Sequence, residues 1–134
     1  MKLNKTGGWI GVDLDATLAF YDEWRGIEHV GEPITLMLDR VNTWVAAGKR
    51  VKIFTARVFE PTSIPHIEAW LEKHGLKGLE ITNIKDFEML ELWDDRAVQI
   101  VPNTGQSLFE AYAALLTQNQ KLKEKLRFIK TGKR

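Results

Sequence analysis

Asp13 and Asp15 stand two residues apart in VDLDATL, residues 12–18, where an apolar run gives way to acid. Side chains of an extended strand repeat with period two, so both carboxylates can face one crevice. Like charges at that range repel, and the pair must be held by a cation, a shared proton or hydrogen bonds. Such a pair suits metal binding or acid–base work. For any single residue of the set, a plain turn in which Asp and Thr cap the chain is the alternative. A second acidic pair, Asp94-Asp95, follows the apolar run Met89 to Trp93. If both runs are strands of one parallel sheet, four carboxylates meet at one edge and require neutralisation. The chain has no cysteine and three histidines, so hard oxygen ligands favour Mg²⁺ over zinc or copper. Taken alone, an Asp-Asp pair would read as a solvated turn.

Thr55 ends another apolar run in IFTAR, and its hydroxyl can donate to a phosphoryl oxygen. Lys85, in TNIKD, can supply a fixed positive charge to the same anion. Each is unremarkable by itself, since a strand-terminal Thr is commonly structural and a loop Lys is usually solvated. What singles them out is order: acid, hydroxyl, ammonium and acid follow four successive apolar runs.

The elements that must position these groups are legible in the spacing. Trp9 to Leu14 predicts a short buried strand. After Pro33, Ile34, Met37, Leu38, Val41, Trp44 and Val45 recur at three and four, which predicts a helix closed near Gly48. Arg50 to Thr55 predicts a second strand; Ile64, Ile67 and Leu71 mark a shorter helix closed by Gly75. Leu79 to Thr82 and Met89 to Trp93 predict two more strands, and Val98 to Val101 a short fifth before the Pro102-Asn103 turn. Alternation of this kind predicts a three-layer α/β domain, its mostly parallel sheet covered by helices on both faces. Sites in such sheets lie at the carboxyl ends of the strands.

With 134 residues the chain is expected to be a single domain, 1–134, with one core. Lys and Arg number 19 against 18 Asp and Glu, so no overall field demands nucleic acid or an anionic membrane. No apolar run approaches the ~20 residues of a spanning helix. The start, MKLNKTGGWIGVDLD, lacks the apolar stretch of a signal peptide, and a cytoplasmic location is expected.

VDLDATL resembles the first motif of the haloacid dehalogenase superfamily, IFTAR its second, the Lys of NIKD its third and WDDRA its fourth. Together they span residues 12–97. The runs VGEPI, IFTARV and KDFEMLELWDDRAVQIVPNTG are similar to a branch of small, capless, phosphatase-like proteins of phages and bacteria. The resemblance implies a Rossmann-like fold and a Mg²⁺-dependent phosphomonoesterase. Asp13 would be the nucleophile that forms an aspartyl-phosphate, and Asp15 the acid and base. Thr55 and Lys85 would hold the phosphoryl group. Mg²⁺ would sit among Asp13, the Asp15 backbone carbonyl and Asp94, with Asp95 in support. One departure is Ala16, where the family commonly has Gly; it implies ordinary backbone angles there or a tighter loop.

No inserted cap domain fits. Thr17 to Glu32 has room for a short loop and hairpin, so the site is expected to be open to large phosphoesters or closed by a partner. Beside it the segment carries Phe20, Tyr21, Trp24, Arg25 and His29. Such a cluster can stack on a base or pack its own loop. Expected substrate contacts are Thr17, Arg57, Trp24 and Arg25, and expected substrates include a nucleotide or a nucleic-acid terminal phosphate. The competing reading is a non-catalytic phosphate-binding or regulatory protein. A phosphoacceptor receiver domain is disfavoured, because its acidic pair would precede the acceptor strand.

The C-terminal helix, about 105–129, changes midway. Leu108, Tyr112, Leu115, Asn119, Leu122, Leu126 and Ile129 alternate spacings of four and three. Up to Leu116 the apolar arc is broad, as for packing on the sheet; beyond Thr117 only the narrow stripe persists. The tail Lys121–Arg134 has seven basic residues and one acidic. A homodimer through this helix is one expectation, and a helix end solvated by water the other.

Overall fold

The computed structural model describes residues 7–132. Residues 1–6 of the segment read as no signal peptide, and Lys133 and Arg134 of the basic tail, lie outside the described residues. Contacts divide the chain into two compact units, one ending at Asp95 and one beginning at Arg96.

The first unit runs β1 (Trp9–Val12), α1 (Thr35–Ala46), β2 (Arg50–Phe54), α2 (Ile64–Lys73), β3 (Glu80–Thr82) and β4 (Met89–Trp93), with two short 3₁₀ turns ahead of α2. All strand pairings are parallel, in the order β3-β2-β1-β4. The α/β class and the parallel sheet agree with the sequence pattern. Ile10 and Val12 of β1 stand in register with Val51 and Ile53 of β2. They pack with Met37 and Val41 of α1 and Ile67 and Leu71 of α2 in one buried cluster. Both helices therefore cover the same face. Successive right-handed crossovers that step β1 to β2 to β3 in one direction place them so.

Helices on both faces are thus not found within this unit. On the opposite face the connection 83–88 returns from β3 to the start of β4. Trp9, fully buried there, donates its indole N–H to Asp86 at 2.8 Å. The Lys52 ammonium lies 4.6 Å from the centre of the same ring. Arg50 binds Glu80 at 2.9 Å and Glu88 at 3.2 Å, clamping the connection at the sheet's amino edge.

Residues 20–32 form a closed loop instead of the expected hairpin. An Ala19–Pro33 bridge and the Phe20 N–H donated to Glu32 O at 2.8 Å join its ends. The sequence between them lacks the period-two alternation a ladder needs. A side chain at Gly31 would strike the Phe20 carbonyl, so the closure depends on that glycine. Trp70 of α2 donates its indole N–H to Gly31 O at 2.8 Å and anchors the loop.

In the second unit, α3 (Leu108–Thr131) starts at Ser107, whose hydroxyl accepts the Glu110 N–H at 3.1 Å, and ends at Gly132 with φ +61°. The expected fifth strand, Val98 to Val101, does not form. Its segment folds back on itself through a single antiparallel bridge, Ile100 to Ser107. Val101 N–H donates to Gln106 O and Leu108 N–H to Gln99 O, both at 2.8 Å. Those backbone groups are spent locally at the turn after Pro102. Along α3, Leu108, Phe109, Tyr112, Leu115 and Leu116 are exposed. No helix among the described residues is long and apolar enough to cross a membrane.

Candidate functional site

Register builds the acidic cluster. Val12 at the end of β1 stands opposite Trp93 at the end of β4, so the next residue of each strand, Asp13 and Asp94, meet at the carboxyl edge. The Asp13 N–H donates to Trp93 O at 2.9 Å and holds β1 and β4 together one step beyond the ladder. Oxygens of Asp13, Asp94 and Asp95 lie within 4.8 Å of one another. Thr17 ties the group from the other side. Its hydroxyl lies 3.4 Å from Asp13 Oδ2 and 3.3 Å from Asp95 Oδ1, and accepts the Asp95 N–H at 3.1 Å. The sequence marked Thr17 as a substrate contact; its partners here are the carboxylates themselves.

Asp13 is half-buried, and its pKa rises from 3.8 to about 7. Desolvation is the main cause, followed by the hydrogen bond with Asp95 and the charges of Asp94 and Asp95. Three all-oxygen donors around one point suit a hard divalent cation, which would remove the repulsion that raises this pKa. Without a cation, the folded state favours protonated Asp13 more than the unfolded chain does. The resulting stability is complete below about pH 4 and is lost as pH rises through about 7. Relative to Asp13→Asn, the wild-type protein is expected to lose on the order of 1–2 kcal/mol between those limits, partial exposure allowed for. Urea midpoints of both proteins in chelator read the difference. It should flatten on adding Mg²⁺, and a difference that is flat throughout would refute the buried-charge reading.

Asp15 goes elsewhere. β1 has already ended at Val12, and the chain turns through Ala16 at φ +65°, so the period-two argument for a shared crevice fails. The Asp15 carboxylate instead forms a two-pronged ion pair with Arg57, Nε to Oδ2 at 2.7 Å and Nη2 to Oδ1 at 2.8 Å. The Arg57 side chain is 5% exposed and that of Asp15 23%. The guanidinium also lies 5.0 Å from the centre of the Trp24 ring. Among the expected metal ligands, then, Asp13, Asp94 and Asp95 come together, while the side chain of Asp15 is bound to an arginine.

Ordinary angles at Ala16 are excluded by the same turn, since its φ lies in the region that favours glycine. Ala16→Gly is expected to raise stability by about 0.5 kcal/mol, the relief of strain exceeding the greater freedom of glycine in the unfolded chain. A lowered urea midpoint would show that the Ala16 methyl contributes more than its strain costs.

Thr55 lies buried at the end of β2, the strand beside β1. Its hydroxyl accepts the Arg57 N–H at 3.2 Å and so caps the 3₁₀ turn that aims Arg57 at Asp15. Lys85 is exposed in the connection 83–88, and its side chain forms no hydrogen bond or ion pair among the described residues. The next residue, Asp86, is bonded to Trp9 at the start of β1. Lys85 itself makes no ion pair with Asp13, Asp94 or Asp95. Arg25 is exposed and paired with Asp22 at 2.8 Å.

Beside the Asp15–Arg57 pair, the loop 20–32 encloses a cavity of about 250 Å³, lined by groups that include Phe20, Tyr21, Arg25 and His29. The aromatic and basic composition of this loop was legible in the sequence. The pairing of Arg57 with Asp15 was not, because 42 residues separate them. Comparison of the chain with protein-family models, with curated proteins and with solved structures finds no match.

Proposed function

We propose that the protein is a Mg²⁺-dependent phosphomonoesterase of the haloacid dehalogenase type, in a capless Rossmann-like form. The observation that carries this reading is the convergence of Asp13, Asp94 and Asp95 at the carboxyl edge of a parallel sheet. In this reading an Asp13 oxygen attacks phosphorus, and the bond to the leaving alkoxide breaks as the aspartyl-phosphate forms. Asp15 gives its proton to the alkoxide. It then takes one from the water that attacks the same phosphorus, releasing inorganic phosphate and free Asp13. Mg²⁺, held by Asp13, Asp94 and Asp95, would neutralise the acids and the phosphoryl oxygens.

Asp15 must leave Arg57 to act. A phosphate dianion entering beside Arg57 would compete for the guanidinium. The cavity under the loop, with Trp24 exposed beside it, has room for part of a nucleotide or the end of a nucleic acid, the proposed substrates.

A second reading is favoured by the arginine itself. With both Asp15 oxygens bound to Arg57, the domain would bind Mg²⁺ and phosphate without turnover, as a regulatory protein does. Phosphate release from a panel of small phosphomonoesters, nucleotides and 3′- or 5′-phosphorylated oligonucleotides decides. Release that needs Mg²⁺ and stops with chelator supports the enzyme. Calorimetric binding of Mg²⁺ and phosphate with no release supports the second reading.

A further inference from the structure

Aromatic side chains that hold nucleic-acid strands come with a positively charged groove that tracks the backbone. Loop 20–32 combines its aromatics with the opposite sign. It carries Asp22, Glu23, Glu28 and Glu32 against Arg25, a net charge of −3 with His29 neutral, in a chain whose total is +1. Arg25 is already engaged, its guanidinium 2.8 Å from Asp22 and 3.4 Å from Glu23. The other arginine lining the cavity, Arg57, is bound to Asp15, and a single incoming phosphate would use up what it can offer.

The same cavity presents ring surface. Phe20, 60% exposed, lines it with Tyr21, and Trp24 beside them is 56% exposed while its ring carries the Arg57 guanidinium at 5.0 Å. A base stacks on such surfaces whatever its identity, because every base has a π-face. A volume of about 250 Å³ suits one base with its sugar and not a run of them.

We propose that loop 20–32 selects a free nucleoside monophosphate over the phosphorylated end of a nucleic-acid strand. The one phosphate goes to Arg57 and the acidic cluster, and the base stacks in the cavity. In a strand the next phosphate lies one nucleotide away, within the Debye length of about 8 Å at physiological salt, so the loop's carboxylates repel it with little screening. The inference rests on the phosphate-binding reading of this site, which the enzyme and the regulator share, and it chooses between the two substrate classes proposed above.

The test uses the full wild-type chain with Mg²⁺ and adenosine bearing a methylenephosphonate, whose P–C bond is not cleaved, at its 5′ or its 3′ carbon. Calorimetry gives the affinity of the free compound. Its displacement by a short single strand ending in the same residue gives the strand's affinity for this site, without counting strands held elsewhere on the chain. At about 20 mM salt the better free compound is expected to bind at least tenfold more tightly than its strand and than methylphosphonate; its lead over the strand should shrink at about 0.5 M. Glu28 is exposed, lies outside the cavity lining and forms no side-chain hydrogen bond or ion pair among the described residues. Glu28→Lys should tighten the strand at least about threefold and leave the free compound unchanged. Phe20→Ala should weaken the free compound at least about fivefold. A strand bound as tightly as the free compound, a free compound no tighter than methylphosphonate, or a strand affinity unmoved by Glu28→Lys would each overturn the proposal. Phosphate release from adenosine monophosphate is measured apart: its absence with the binding preference intact removes the enzyme and leaves this inference standing.

Discussion

Asp13→Asn is expected to abolish phosphate release, lowering the rate at least ~10³-fold, or roughly 4 kcal/mol in barrier, on every ester the wild-type protein cleaves. The amide keeps the shape of the carboxyl but cannot bond to phosphorus as the nucleophile must. Fold and stability should not suffer. At pH 7 the variant should be as stable as the wild type or more so, since the substitution removes a desolvated charge crowded by Asp94 and Asp95. Lost activity with an intact urea midpoint therefore separates chemistry from folding. Asp15→Asn should differ: an activated phosphoester can still load Asp13, but hydrolysis of the aspartyl-phosphate slows. Acid-quench trapping with a labelled ester distinguishes the two. Phosphate release retained by Asp13→Asn, after removal of contaminating phosphatase, would end the covalent mechanism.

Arg57→Ala is expected to cost about 2–3 kcal/mol of stability. It removes both prongs on Asp15, at 2.7 and 2.8 Å, together with the contact on Trp24, and leaves a mostly buried carboxylate without its partner. Part of that loss belongs to the abandoned charge and should return in the double variant with Asp15→Asn. A double-mutant cycle with a coupling of at least about 1 kcal/mol is the expected reading. Arg57→Lys should recover little, because an ammonium cannot reproduce the planar fork. A change below about 0.5 kcal/mol in Arg57→Ala would mean that the pair is not held in solution. Activity in the same variants bears on the choice between enzyme and regulator: an Asp15 freed from arginine but still inert would favour the regulator.

Much of the first unit can be read from local pattern. Strand and helix positions follow from apolar spacing and from Pro33, Gly48 and Gly75, because periodicity and backbone permissiveness act over a few residues. The convergence of Asp13 with Asp94 and Asp95 is legible for a related reason. Parallel pairing sets carboxyl-terminal strand ends side by side, so two acidic pairs that follow strands meet wherever those strands are neighbours.

Other features depend on what the chain meets after folding. Period two places Asp15 beside Asp13 only if the strand continues, and β1 stops at Val12; the turn at Ala16 then delivers Asp15 to Arg57. The connection 83–88 is clamped through Asp86 and Glu88 by Trp9, Arg50 and Lys52, contacts that no local pattern around Lys85 announces. Val98 to Val101 has strand composition, but its backbone hydrogen bonds close on its own turn.

By itself, then, the sequence determined which residues could do chemistry and which short segments would be extended or helical. Both depend on side-chain type and spacing within a few residues. The pairing of Asp15 with Arg57, the clamping of the connection 83–88 and the local closure of Val98 to Val101 were settled by the tertiary structure alone. Those outcomes rest on strand order, the path of the returning connection and long-range ion pairs, which bring together residues that no local period relates.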